Sequence, residues 1–279
     1  MSIRATTRVI ALLGWPVEHS WSPLMHNAAF AAAGLDFCYI ACPTPPAALP
    51  AALDGLHALG IAGANLTIPH KEAGCALVDT LDDEARAIGA VNTIVVREGS
   101  LAGSNTDAAG IADALADAGV TVRGAGAVVL GAGGSARAAV WALARAGAAR
   151  IWVCARALEK AETVAALAPQ GSAIPWSRGA VRVALAAADL LVNATPAGLT
   201  FDAKELPLDD EALAARHTVF DFVYQPALTA LEQRARARAG RVLGGRDLLV
   251  AQGAASFTRW TGQPAPRDAM RNALPPVEK

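Results

Sequence analysis

The feature that most constrains this chain is a run of small residues, Gly131-Ala132-Gly133-Gly134-Ser135-Ala136, set between an apolar stretch and a helix-forming one. The apolar stretch is Gly126-Ala127-Val128-Val129-Leu130, and helical composition continues from Ala136 to Ala146. A strand turning into a helix through G-x-G-x-x-A does three physical jobs. The first glycine permits the tight turn, the second lets backbone approach a pyrophosphate, and the alanine lets helix and strand pack closely. The helix N-terminus then favours negative charge. Alone the run is weak evidence, because small-residue turns are frequent in an Ala/Gly-rich chain. Its context strengthens it: the next apolar stretch, Ile151–Cys154, ends about twenty residues further on, the spacing of a βαβ unit. An acidic residue at that strand's end would hold a ribose 2′-hydroxyl. The chain has Cys154-Ala155-Arg156 instead, with no carboxylate until Glu159 and with Lys160 one turn on. Arg156 facing a 2′-phosphate favours NADP over NAD; the plain alternative is a solvated arginine.

Similar apolar runs recur at Val9–Leu13, Phe37–Ala41, Gly63–Thr67, Thr93–Arg97, Leu190–Asn193 and Thr218–Val223, with helical stretches such as Pro23–Ala33 between them. This alternation predicts an α/β fold of parallel sheets with helices on both faces. The runs form two series, before and after about residue 107, bridged by a predicted helix over 106–118. A final helix is predicted over 245–262, stopped by Pro264 and Pro266, with a frayed tail from Pro275. The basic run 234–241 reads as the solvated end of a surface helix.

Of 279 residues, 53% are apolar and the net charge is −1 with signs mixed, which argues against nucleic acid or an anionic membrane surface as partner. The four cysteines, Cys38, Cys42, Cys75 and Cys154, form no CxxC pair and have no histidine at zinc-ligand spacing, so they read as free thiols and no metal is expected. Val9–Leu13 is too short for a signal-peptide core and no segment reaches membrane-span length, so a cytoplasmic location is expected.

Three polar clusters interrupt the apolar pattern. In His19-Ser20-Trp21-Ser22-Pro23, Ser22 reads as a helix N-cap followed by Pro at N1. Ser20 is then free to join Ser22 in donating hydroxyls to a small anion. In Asn65-Leu66-Thr67-Ile68-Pro69-His70-Lys71, Asn65 and Thr67 point to one side of a strand. Lys71 follows at the start of a predicted helix, which suits it to acid–base work; a solvated surface lysine is the bland alternative. His70 reads as structural. The third cluster is Asn92-Thr93 with Ser104-Asn105-Thr106-Asp107. Asp107 there is either a helix cap or a carboxylate paired with Lys71 across a cleft.

Together these residues resemble the shikimate dehydrogenase family. The resemblance is carried by Gly14-Trp15-Pro16-Val17-Glu18-His19-Ser20-Trp21-Ser22-Pro23 with His26-Asn27, then Ala64–Lys71, Ile88-Gly89-Ala90-Val91-Asn92-Thr93, Asn105-Thr106-Asp107 and the glycine turn. Asn193-Ala194-Thr195-Pro196-Ala197-Gly198, Asp221-Phe222-Val223-Tyr224 and Gln252-Gly253-Ala254 complete the order. It implies an enzyme that reversibly reduces 3-dehydroshikimate to shikimate with NADPH. Lys71 resembles the family's catalytic lysine and Asp107 its aspartate partner. Ser20, Ser22 and Tyr224 match positions holding the substrate carboxylate; Thr67, Asn92, Asp107 and Gln252 match positions contacting ring hydroxyls. Gly131, Ala132, Gly133, Gly134 and Ser135 match the pyrophosphate turn. Arg156 and Lys160 match the 2′-phosphate site, Phe222 and Gly245 the nicotinamide pocket, and Asp83 a weaker cofactor-proximal position. The implied architecture is a substrate domain of residues 1–106 plus 246–279, and a Rossmann-like NADP domain of 107–245, as a monomer or homodimer.

The chain departs from the family pattern at Trp21, where a smaller apolar residue is usual. Ala155 and Ala157 replace the Asn and Thr that flank the arginine, and Lys160 stands for a second Arg. NAD therefore stays open as cofactor. Rival readings are a quinate/shikimate or aminoshikimate paralogue, a methylenetetrahydrofolate dehydrogenase relative, and a catalytically silent ligand-binding regulator. The Ser20/Ser22 pair and Asn105-Thr106-Asp107 oppose the second, and retention of Lys71 and Asp107 opposes the third.

Overall fold

Apolar runs in the first part of the chain build one six-stranded sheet. Its strands are β1 (Arg8–Gly14), β2 (Phe37–Pro43), β3 (Gly63–Leu66), β4 (Thr80–Leu81), β5 (Thr93–Arg97) and β6 (Ser100–Ser104), in the order β2-β1-β3-β5-β6-β4. The computed structural model describes residues 3–199, 205–226 and 228–276. Strand β1 pairs parallel with β2 and β3, but β5 runs antiparallel to β3 and β6. The expectation of parallel sheets throughout is corrected here: this sheet is mixed. The cause is local. Arg97 pairs with Ser100 across Glu98 and Gly99, whose φ values are 49° and 79°. Two positive-φ residues make a tight hairpin turn, which joins only antiparallel strands.

Helices cover both faces of this sheet. On one, His26 and Phe30 of α1 (Ser22–Ala32) meet Phe37 and Tyr39 of β2, with Phe257 and Trp260 closing the aromatic cluster. On the other, Leu49, Leu53 and Leu56 of α2 (Leu49–Ala58) pack on Ala11, Leu13, Ala64, Leu66 and Ile94. The short α3 (Asp83–Ile88) is capped by Asp82, whose carboxylate accepts from the Ala85 N–H.

The second series begins with α4 (Asp107–Asp117). It continues through β7 (Gly126–Leu130), α5 (Gly134–Arg145), β8 (Arg150–Ala155), α6 (Leu158–Ala165), β9 (Gly171–Pro175) and α7 (Arg178–Ala186). After them come β10 (Leu190–Asn193), β11 (Thr218–Asp221), α8 (Ala230–Arg236) and β12 (Arg241–Leu243). These strands form an all-parallel sheet, β12-β11-β10-β7-β8-β9. Counted from β7 that is the 3-2-1-4-5-6 order of the dinucleotide-binding doubly wound fold, with its switch point between β7 and β10. Buried runs such as Ala127–Leu130 explain why both faces need cover. Val181, Ala184 and Leu185 of α7 and Leu231 and Ala235 of α8 fill one face.

The chain closes with α9 (Gly245–Thr261) and α10 (Arg267–Asn272). Two units result: Met1–Thr106 with Val250–Pro275, and Asp107–Leu249 with Pro276–Lys279. The last three residues of the expected frayed tail lie outside the described residues. No described helix is long and apolar enough to cross a membrane, and the four cysteines are unbridged.

Candidate functional site

In the first unit the polar clusters gather at the C-terminal ends of β1, β3 and β6 and the N-terminal end of the antiparallel β5. The Thr67 N–H donates to Leu13 O (3.0 Å) and the Trp15 N–H to Ile68 O (2.9 Å), so the segments following β1 and β3 run side by side. Ser22 is not the helix cap expected of it. Trp21 occupies the cap position without a side-chain bond, and Ser22 is the first helical residue. The Ser22 N–H donates to Ser20 Oγ at 3.2 Å. Ser20 forms the turn one residue earlier, which leaves the buried Ser22 hydroxyl out of capping.

Lys71 also differs from expectation. It lies in a turn that leads only into the single 3-10 turn Ala73–Ala76, not into an α-helix. Its main chain is nevertheless held: Lys71 O accepts from the Val91 N–H at 2.7 Å. That bond sets the lysine beside the residue preceding Asn92. His70 is buried, its Nε2 2.7 Å from Thr44 O, which suits a structural role.

Asn92 is held at both ends of its amide. Its Oδ1 accepts from the Thr106 N–H (2.8 Å) and the Thr93 hydroxyl (2.9 Å), and its Nδ2 donates to Thr106 Oγ1 (2.9 Å). Since a main-chain N–H only donates, the amide's orientation follows from the first of these bonds. Nδ2 also reaches Gln252 Oε1 on α9 at 3.5 Å. Lys71, Asn92 and Gln252 thus belong to one neighbourhood. Thr67 is half-buried just beyond β3. Asp83 sits in the first turn of α3, exposed, with Arg86 3.7 Å away.

In the second unit the glycine turn lies at the C-terminal end of β7. Gly131 has φ +115°, and a Cβ there would stand 3.0 Å from Ala194 O at the end of β10. Its N–H donates to Cys154 O at the end of β8 (2.8 Å). Only glycine fits a turn so placed, on conformation and on space. Gly133 caps α5 with no side-chain bond, and Ala132, Gly134 and Ser135 line the first turn. The helix therefore presents backbone N–H groups that a phosphate can take. Arg156 and Lys160 are both exposed, Arg156 directly after β8 and Lys160 on α6. Ala157 caps α6 without a side-chain bond. Gly245 and Phe222 are brought together: a Cβ on Gly245 would stand 2.4 Å from Phe222 O. Tyr224 is half-buried two residues beyond, and the buried Asp107 opens α4.

Sequence reasoning missed the carboxylates beneath Phe222 and Tyr224. Asp221, fully buried at the end of β11, accepts from Thr229 Oγ1 (2.6 Å), Asn193 Nδ2 (2.8 Å) and the Val223 N–H (3.1 Å). Burial raises its pKa to about 6. Glu232 and Thr229 form a capping box at the start of α8. Burial, and then the charge of Asp221, raises Glu232 to about 7.

Two family models match the chain: the shikimate dehydrogenase substrate binding domain over residues 12–94, and the shikimate 5′-dehydrogenase C-terminal domain over 245–274. The NADP-dependent shikimate dehydrogenase of Moorella thermoacetica is 45% identical over 98% of this chain and 95% of its own length. The chain belongs to the shikimate dehydrogenase family. Solved members superpose along nearly the whole chain. A shikimate dehydrogenase crystallised with NADP+ gives a TM-score of 0.90 at 37% identity, covering 98% of this chain and 96% of that one. The Thermus thermophilus enzyme, in complex with NADP(H) and shikimate, gives 0.85 at 39% identity, covering 96% and 98%. The two-sheet α/β architecture is the one expected of a family member.

Proposed function

We propose that this chain reversibly reduces 3-dehydroshikimate to shikimate with NADPH, through Lys71 and Asp107. Its relatives bear that activity in their names. One structural observation carries the reading for this chain's own residues: Lys71, Asn92 and Gln252 share one neighbourhood, set by the Val91–Lys71 main-chain bond and the Asn92–Gln252 contact. A lysine whose main chain is held beside oriented amides suits a ring that bears a ketone among hydroxyls.

NADPH, when bound, would supply the hydride for the ketone carbon. The Lys71 ammonium stabilises charge gathering on the ketone oxygen and gives it a proton; in reverse, the neutral amine takes that proton back. Asp107 orients the lysine and accepts from a neighbouring hydroxyl. Thr67, Asn92 and Gln252 bind ring hydroxyls, and Ser20, Ser22 and Tyr224 the carboxylate. Gly131–Ser135 and the α5 N-terminus receive the pyrophosphate, Arg156 and Lys160 the 2′-phosphate. Phe222 and Gly245 line the nicotinamide site, with Asp83 at the cofactor's margin. Residues 1–106 with the last helices serve as the substrate domain, and 107–245 as the cofactor domain. Family membership supports a cytoplasmic enzyme, monomeric or homodimeric.

The test is turnover of shikimate, quinate and aminoshikimate, each with NADP+ and with NAD+. The highest kcat/KM is expected for shikimate with NADP+. A higher value for another ring would make the chain a paralogue. Tight shikimate binding without turnover would make it a silent binder.

A further inference from the structure

Ser256 lies on α9, one turn beyond Gln252, and is fully buried. Its hydroxyl stands at the centre of a polar network drawn from four segments of the first unit. Ser256 Oγ is 2.8 Å from Thr93 Oγ1 and 3.0 Å from Thr106 Oγ1. It takes a bond from Asn65 Nδ2 at 3.3 Å and donates to Gln252 O at 3.1 Å. Asn65 in turn accepts from the Tyr39 hydroxyl and donates to Asn92 O, both at 2.8 Å.

A hydroxyl has one proton to give and two lone pairs. Thr93 gives its proton to Asn92 Oδ1. Thr106 Oγ1 accepts from Asn92 Nδ2 and lies within reach of both Asn92 Oδ1 and Ser256 Oγ. With the Thr93 proton committed, Ser256 is the donor in the 2.8 Å contact to Thr93, in competition with the main-chain carbonyl of Gln252. Ser256 thus contacts both hydroxyls that bond the Asn92 amide.

We propose that Ser256 is a positioning residue, which holds the Thr93 and Thr106 hydroxyls that bond Asn92 and through them steadies that amide toward the substrate's ring hydroxyls. This rests on the functional reading above. A buried donor–acceptor network resists rearrangement, because an unmade bond in a dry interior is expensive. Removing the central hydroxyl leaves Thr93 and Thr106 without their shared partner and loosens the Asn92 amide, which keeps its bond from the Thr106 N–H.

The experiment measures steady-state kinetics for the full chain and for Ser256→Ala, Ser256→Cys, Asn92→Ala and the double variant Ser256→Ala/Asn92→Ala. Ser256→Ala is expected to raise KM for shikimate about three- to ten-fold, the range of one neutral hydrogen bond. KM for NADP+ should not move. Ser256→Cys, which fills the same space with a weak donor, keeps the fold and gives an intermediate KM. In the Asn92→Ala background, loss of Ser256 should add little, since the serine acts through that amide. A shikimate KM unchanged in Ser256→Ala, or equal factors with and without Asn92, overturns the positioning role while wild-type turnover upholds the enzyme. No turnover by the wild type overturns both.

Discussion

The two units bury polarity in opposite ways. The first encloses neutral amides and hydroxyls around Asn92, together with His26, which stacks on Tyr39 at 4.5 Å and meets the edge of Trp260 at 5.2 Å. Neither ring nitrogen of His26 has a hydrogen-bond partner, and burial lowers its pKa to about 3. The second unit encloses carboxylates, among them Asp221 and Glu232, which burial pushes up to about 6 and about 7. Between about 3 and the ordinary histidine value, folded His26 binds fewer protons than the unfolded chain, so acid weakens the first unit. The carboxylates bind more protons folded than unfolded, so their stabilising effect, complete in acid, is lost as pH rises through their folded values. An interior of neutral groups holds its hydrogen-bond directions across pH, which suits a unit that must orient hydroxyls. The carboxylate interior ties the second unit's stability to pH between the ordinary carboxylate range and about 7.

Four measurements break or sharpen that contrast. The largest effect is expected from Lys71→Ala. It should lower kcat by about 10²–10⁴-fold while NADP+ affinity, a property of the other unit, stays unchanged. A kcat within tenfold of wild type would take the chemistry away from the first unit. Next comes acid unfolding. In urea titrations the wild type should lose on the order of 2–3 kcal/mol between pH 6.5 and pH 4 from His26, and His26→Leu should flatten that limb. An equally steep limb in the variant would exonerate the histidine. Third, Glu232→Gln keeps the capping geometry without the charge. Its stability relative to wild type should grow by on the order of 1–2 kcal/mol as pH rises from 4.5 to 7. A constant difference would mean the carboxylate does not titrate there. Smallest, Arg156→Ala should raise KM for NADP+ about tenfold with little change for NAD+. Equal changes would dissolve the 2′-phosphate role.

The second unit was the more legible in sequence, for a physical reason. Strands buried on both faces must be apolar throughout, so β7, β8, β10 and β11 announce themselves, and Gly131, at φ +115° against Ala194, must be glycine. The strands that escaped notice are edges or lack β-branched residues. β12 has three residues and β4 two, β9 is a half-buried edge, and β6, Ser-Leu-Ala-Gly-Ser, lacks β-branched side chains. Ser22 was misread because two serines compete for one turn, and the hydrogen bond went to Ser20. The helix expected at Lys71 gave way to a 3-10 turn, a distinction that local composition does not encode. Ser256 left only the faint signal of an i,i+4 spacing from Gln252, because its partners come from β3, β5 and the chain beyond β6.

The first unit is drawn from two separated stretches of chain. All six of its strands precede residue 107, yet Ser256, Phe257 and Trp260, which close its interior, lie on α9, and Met270 on α10. During synthesis its sheet therefore emerges early and waits, one face uncovered, while the second unit is translated and folds. At 5–20 residues per second that interval is on the order of ten seconds. The first unit is thus the last part of the molecule to be completed, and its uncovered sheet face the one most exposed to aggregation or to premature termination. A chain halted at residue 249 would carry every described strand and still lack the helical residues that close the first unit.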